Sequence, residues 1–530
     1  VSFTLHGDLW ARARQAGVER GDRGKDTVTD MAEPTGAETT GGSDIHRPEL
    51  HVTADAGVLM APAAVMLDGR TCPLFRQYRP SLDAPARWGH QFSEDNPYEW
   101  ETCDDVLAAE GDETLVRAGS VVAADGGFNV YFTSVTASGT AVHLARIDDP
   151  AATTTDISDD PLALDPQVVR RGEVVGNAQG EAAGLFDFRS PCVVPDWASD
   201  SDRDEGLAGW LMLSVTGAQD SPKLAVLRSA DGVDWHLDGP LVLDGDSGLE
   251  TETQVVSPRI IRLRDEVDGE IYDIILVTIE HDGIDISGYL VGRLTGATFT
   301  VTRPFHRIDF GHDFTRPRNT NLSEPADTRW HRGAIVGVLN GVGRFDDPAK
   351  HLSWTGSGWA NAVSVPRVVS LQGGMLFQTP AAGLVDAVTR TDHARMWTAL
   401  CEIPVGSELS VDILDAAGET AARVTHQGDV LELDRSMNPH HAGDGVAQAP
   451  LAEGDSDSLT ILVDGSTVEV FADGGAVAMA SRVYVDGGVK DFRVSLEGEA
   501  RVEKHFTRGP ETISPVIPEW AAPRLDTEFR

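Results

Sequence analysis

Apolar and polar positions along this 530-residue chain follow the short period of β-strands, and helical spacing is rare. Runs rich in β-branched and aromatic residues are separated by Gly, Asp and Pro turns. One kind of run recurs, an apolar stretch leading into small polar residues. It reads PLFRQY near Phe75, VYFTSV near Phe132, WLMLSVTG near Leu211, IILVTIEHDG near Ile275 and IVGVLNG near Val336. The runs lie roughly sixty to eighty residues apart, and five such units predict a radial array of small antiparallel sheets, a five-bladed β-propeller. A second echo is Ser93-x-Asp95 before Trp100 and Ser229-x-Asp231 before Trp235. Ser and Asp close such turns through the backbone, and the Trp then packs between sheets. Chance recurrence of a common turn is the plainer alternative.

From about Pro366 the strand-like alternation continues without that repeat, as in LTILVDGSTVEVF and DFRVSLEG. The pattern predicts an all-β chain, with a propeller over 46–365 and a β-sandwich over 366–507. Residues 1–45 lack apolar periodicity and read as a flexible acidic leader. Residues 508–530 form a Pro-rich tail that includes Trp520.

Charge narrows the partners. With 84 acidic against 43 basic residues the net charge is -41, which repels phosphate backbones and anionic lipid, so neither nucleic acid nor membrane is expected. Four scattered cysteines (Cys72, Cys103, Cys192, Cys401) show no C-x-x-C spacing and predict reduced thiols rather than zinc ligands. No apolar run reaches the roughly eighteen residues of a membrane span. Asp8, Arg12 and Arg14 stand where an export signal needs an apolar stretch. A cytoplasmic location is expected. His90, His312 and His331 are scattered, and no Gly-rich phosphate loop precedes a helix, so neither metal nor cofactor is expected.

At His51 a specific likeness begins. His51, Gly57 and Val58-Leu59-Met60-Ala61-Pro62-Ala63-Ala64 match in register an H-x-x-P-x-x-G-W-M-N-D-P-N-G opening. Phe75-Arg76-Gln77-Tyr78-Arg79-Pro80 is similar to F-Y-Q-Y-N-P, and Trp88-Gly89-His90 is followed by Ser93, Asp95 and Trp100. Phe188-Arg189-Ser190-Pro191 resembles F-R-D-P, and Val255-Val256-Ser257-Pro258 fills a W-E-C-P slot. Gly311-His312-Asp313-Phe314 is similar to G-H-D-F, and Val365-Pro366-Arg367 to L-P-R. Glu469-Val470-Phe471 and Ser481-Arg482-Val483-Tyr484 follow in the last domain. In this order, across about 46–507, the chain resembles glycoside hydrolase family 32, the invertase, levanase and fructosidase family. The resemblance implies a five-bladed propeller with a central fructose pocket, followed by a β-sandwich.

It also implies where chemistry would sit. A retaining glycosidase needs a carboxylate nucleophile and a carboxylic acid/base about 5–5.5 Å apart. The family's nucleophile, stabilising carboxylate and acid/base fall on Ala61, Ser190 and Val256: Ala61 has no lone pair to offer, Ser190 can hydrogen-bond but carries no charge, and Val256 cannot move a proton. Glu252 and Asp187 are the displaced candidates, and an exposed strand-flanking acid is the alternative for each. Gln77, Trp88, Ser120 and Arg189 fall on substrate-contacting positions, with a packing role as the alternative. The F-S-G-S stretch is Arg117-Ala118-Gly119-Ser120. Arg189, without an aspartate neighbour, is a candidate for binding an anionic group such as a sugar phosphate.

Three functions remain open at this stage. The first is a degenerate fructosidase-like protein with a carbohydrate-binding or regulatory role. The second is an active β-fructofuranosidase using displaced carboxylates. The third is a structural interaction protein with a protein partner. Fructose-containing saccharides or a sugar phosphate are the expected small-molecule partners.

Overall fold

The computed structural model describes residues 44–67, 71–250, 253–281, 284–321, 328–340, 347–452 and 457–510. The stretches 1–43 and 511–530, which hold nearly all of the predicted leader and tail, lie outside the described residues, as does Glu252.

The five recurrent apolar runs are the second strands of five successive sheets: Thr71–Arg79, Gly127–Thr136, Leu207–Thr216, Ile271–His281 and Gly333–Leu339. A second strand is covered by adjacent blades on both faces, so its sequence runs continuously apolar instead of alternating. The first strands are Gly57–Val65, Glu113–Ala124, Arg189–Trp197, Gln254–Arg264 and Phe314–Asn321. They touch one another in cyclic order around a central axis, which makes the array a five-bladed propeller. The turn echo has structural content at its second copy. Ser229 Oγ accepts the Gly232 N–H at 2.8 Å, and Trp235 packs edge-on against Tyr131 of the preceding blade.

The ring closes by a short splice. Trp359–Ala360, from beyond the second strand of blade five, pairs in parallel with Gly57–Val58 of blade one. Ala362–Val363, two residues on, pairs with blade five itself. Blade five then continues through Arg367–Gln372 and Met375–Pro380, so its sheet runs past the boundary expected at 365. These outer strands alternate buried and half-exposed positions. A sandwich strand shows the same pattern, so periodicity alone does not separate the two.

Two five-stranded antiparallel sheets follow. One carries Arg395–Glu402, Asp457–Asp464, Thr467–Ala472, Val477–Arg482 and Arg501–Arg508. The other carries Glu408–Leu414, Thr420–His426, Val430–Asp434, Ala447–Pro450 and Asp491–Glu497. Trp397, Leu409, Val411, Leu431, Ile461 and Val470 belong to the apolar layer between them.

Buried charge locks this sandwich to the propeller. Glu469 accepts from the Val365 N–H at 2.7 Å and from Arg367 Nε and Nη2 at 3.1 and 2.7 Å. His51 bridges Glu469, 3.0 Å from Nε2, and Asp464, 2.7 Å from Nδ1. Asp464 also takes the N–H groups of Glu49, Leu50 and His51. Across the interface Asp313 accepts from Arg435 Nη1 and the Arg482 N–H, each at 2.7 Å. Gly311 is required there, since a Cβ would meet the Ala480 carbonyl oxygen at 2.2 Å.

Burial alone would lower the His51 pKa, but its hydrogen bonds to Asp464 and Glu469 outweigh burial and raise it to about 9. Burial likewise pushes Glu469 up, and Arg367 and His51 hold it below its ordinary value. His51→Ala therefore costs about 3–5 kcal/mol, as for any broken buried ion pair, read as a lowered urea midpoint. The unfolded imidazole titrates near 6.5. The contribution of His51 is therefore complete below that pH and is lost as pH rises from 6.5 towards 9. A stability gap between wild type and His51→Ala that stays constant over that range contradicts the assignment.

Candidate functional site

The first strands share one irregularity at the level of the axis. In blades two to five, two of their residues oppose a single residue of the second strand. Ala118-Gly119 faces Phe132, Ser190-Pro191 faces Ser214, Ser257-Pro258 faces Val277, and Arg316-Pro317 faces Gly337. Blade one slips at Met60 and again at Ala63. Such bulges bend a strand and re-aim its side chains, and proline tolerates them because it donates nothing to the ladder. Ser190, Ser257 and Arg316 adopt φ of 52°, 51° and 50°, a conformation that costs a non-glycine residue about 1–3 kcal/mol. Ala61, Ser190 and Val256 all stand at this level, which we call the floor.

Contacts can be followed from blade to blade around it. Ala61 is paired with Gln77, and Gln77 Oε1 accepts the Ala118 N–H at 2.7 Å. Arg117 is paired with Thr133, and Thr133 Oγ1 accepts the Ser190 N–H at 2.9 Å. Arg259 donates to the carbonyls of Ser190, Pro191 and Pro258 and, from Nη2, to that of Gly119. Asn319 donates to the Ile260 carbonyl at 2.7 Å, and Arg316 reaches the Met60 carbonyl at 3.4 Å.

The positions expected to touch substrate are occupied otherwise. Trp88 is fully buried, 6.5 Å from the Phe132 ring, so it packs between blades and offers no surface to a ligand. Gln77 is buried in the bond to Ala118 and a 3.5 Å contact with the Met60 sulfur. Ser120 Oγ accepts the Val193 N–H at 2.9 Å and joins blades two and three. Arg189 is buried, with its Nη atoms on the carbonyls of Asp187, Gly217 and Ala218. Asp187 holds the Thr140 N–H at 3.1 Å. Asp285, which sequence reasoning missed, is paired with Arg316 of the floor. Burial raises its pKa, and Arg316, 3.1 Å away, opposes that rise.

Among the described residues the floor gathers arginines. Arg259 and Arg318 are almost wholly buried. Desolvation brings Arg259 down to about 10 and Arg318 well below the usual value, with neighbouring Arg259 and Arg316 also acting on Arg318. The Nε atoms of both have no hydrogen-bond partner among the described residues. Off the axis, a cleft of about 540 Å³ opens on blade two, lined in part by Glu113, Ser134, His143, Arg170 and Glu173. It holds none of the expected positions.

Residues 51–380 match the Glycosyl hydrolases family 32 N-terminal domain, and residues 417–507 match the Glycosyl hydrolases family 32 C terminal. The chain belongs to glycoside hydrolase family 32. Among family 32 relatives, raffinose invertase of Escherichia coli is 24% identical, over 82% of this chain and 89% of that protein. Sucrose-6-phosphate hydrolase of Staphylococcus xylosus is also 24% identical, over 54% of this chain and 60% of its own length. The fold is that of the exo-inulinase from Aspergillus awamori, with a TM-score of 0.67 at 18% identity, covering 87% of this chain and 97% of that one.

Within this family 32 frame, the signal that would have located the floor is the recurring x-Pro step. It occurs as Ala61-Pro62, Ser190-Pro191, Ser257-Pro258 and Arg316-Pro317, twice followed by Arg. One group outside the floor has metal-type donors: His426, Asp457 and Asp473, with ligand atoms within 4.8 Å of one another. His426 Nδ1 accepts the Gly428 N–H at 3.2 Å, so its ring proton sits on Nε2, pointed at Asp473 3.4 Å away. No imidazole lone pair is left for an ion. For the floor itself, Thr133→Val strands the Ser190 N–H between blades. It should cost about 1–3 kcal/mol, measured by urea denaturation, whereas an unchanged midpoint would show that this bond does not hold the floor.

Proposed function

We propose that this chain is a catalytically silent family 32 protein whose funnel serves as a saccharide-binding or regulatory surface in the cytoplasm. Its ligands would be fructose-containing saccharides or a sugar phosphate. The observation that supports this reading is the composition of the floor. Ala61 and Val256 present hydrocarbon and Ser190 a hydroxyl, where the retaining mechanism requires two facing carboxyl groups. The described acids nearby are committed elsewhere, Asp187 to Thr140 and Asp285 to Arg316. The names of the relatives, raffinose invertase and sucrose-6-phosphate hydrolase, support saccharides as the ligand class. Proton transfer alone contributes about 10²–10⁴-fold to such reactions, and the nucleophile's share is lost with it.

The test uses the purified full chain with sucrose, raffinose, inulin, levan and sucrose 6-phosphate. Reducing-sugar release should not exceed the spontaneous rate, while calorimetric titration with the same compounds should yield saturable binding for at least one. Turnover abolished by Glu252→Gln or Asp285→Asn would replace the proposal with hydrolysis by displaced carboxylates. Absence of binding to every saccharide would leave only a structural interaction protein.

A further inference from the structure

The residues that follow the bulges of blades two to five are Ser120, Cys192, Arg259 and Arg318, all buried. This set carries two positive charges and no negative one. Arg259 is 1% exposed and Arg318 3%, and they stand in adjacent blades. Each guanidinium turns back onto its own bulge. Arg259 Nη1 donates to the Pro258 carbonyl at 2.6 Å, and Arg318 Nη1 to the Pro317 carbonyl at 3.1 Å. Their places are therefore equivalent, and Asn319 joins the two strands by its bond to the Ile260 carbonyl, one residue beyond each arginine.

The donors are unequally spent. Arg259 places its Nη atoms on the carbonyls of Ser190, Pro191, Pro258 and Gly119 and keeps only Nε free. Arg318 keeps a whole edge. Its Nε and Nη2 make no hydrogen bond among the described residues. Nor does a described carboxylate pair with either residue, since Asp285 is taken by Arg316. Burial depresses the Arg318 pKa most, and the charge of Arg259 is the next largest cause. Two like charges buried together without a counterion are costly. The Nε–Nη2 edge of a guanidinium is a fork of donors suited to an anion.

We propose that Arg318 and Arg259 bind a small inorganic anion, of the size of chloride, between blades four and five. The ion accepts from the Nε–Nη2 edge of Arg318 and from Nε of Arg259, and it offsets their mutual repulsion. Its size follows from enclosure, because side chains this deeply buried leave no approach for a sugar ring. The site is thus a structural countercharge and does not depend on what the funnel accepts. Arg259 ties together carbonyls of blades two, three and four, so the ion also steadies the floor. A chain of net charge -41 repels anions at long range, so the affinity is local.

The experiment starts from the full chain dialysed into sodium gluconate, with chloride or bromide replacing gluconate at fixed ionic strength. The thermal midpoint should rise saturably with either halide, by about 2 °C or more. Arg318→Met loses only bonds within its own bulge, and it should fold and lose the halide response. Crystals of the unaltered protein grown in sodium bromide should show an anomalous peak between the two guanidinium groups, a readout that needs no variant. A midpoint indifferent to which anion is present overturns the site. A halide response that survives Arg318→Met overturns it as well, and so does bromide found only at the molecular surface.

Discussion

A ring of blades is only as rigid as its seam, and here one buried carboxylate bonds to both sides of it. Glu469 reaches out of the sandwich to bond His51 just before blade one, and Val365 and Arg367 at the start of blade five's outer strands. The nearby splice of Trp359–Ala360 onto Gly57–Val58 spans only two residue pairs. Hydrogen bonds at so short a junction are individually weak, so the buried charge supplies what the splice lacks. The sandwich is thus the clasp that keeps the first and last blades in register, and the geometry of the axis follows from it.

This explains which parts of the molecule were legible in the sequence. His51, Gly311-His312-Asp313, Arg367, Glu469 and Ser481-Arg482 are the residues on which the family resemblance is densest. All of them meet at the interface between propeller and sandwich. They carry architecture, so the fold could be read from them without reference to the floor. The five apolar runs were legible for a simpler reason, since strands covered on both faces leave an unbroken hydrophobic signature. The end of the propeller was not legible, because outer strands and sandwich strands alternate alike.

The floor was only half legible. Register alone located Ala61, Ser190 and Val256. It could not show that Gln77 and Ser120 spend their polar atoms bracing one blade against the next, or that Trp88 has no exposed face. Nor could it show Asp285 lying beside Arg316, since the two are 31 residues apart in sequence and meet only across a blade boundary. The arginines were hidden for a similar reason. An x-Pro-Arg step says little in isolation and acquires meaning only when two neighbouring blades bring it to one axis.

The position of Arg316 has a consequence for any carboxylate placed on the floor. Its guanidinium reaches the Met60 carbonyl, immediately before Ala61. An aspartate introduced at 61 would enter the field of a resident cation, which favours ion pairing and lowers the basicity of the carboxylate. Acidic substitution of the floor alone would favour a salt bridge over a free nucleophile. Acidic substitutions on this floor therefore cannot be read one residue at a time, because the guanidinium already in place sets what each new carboxylate becomes.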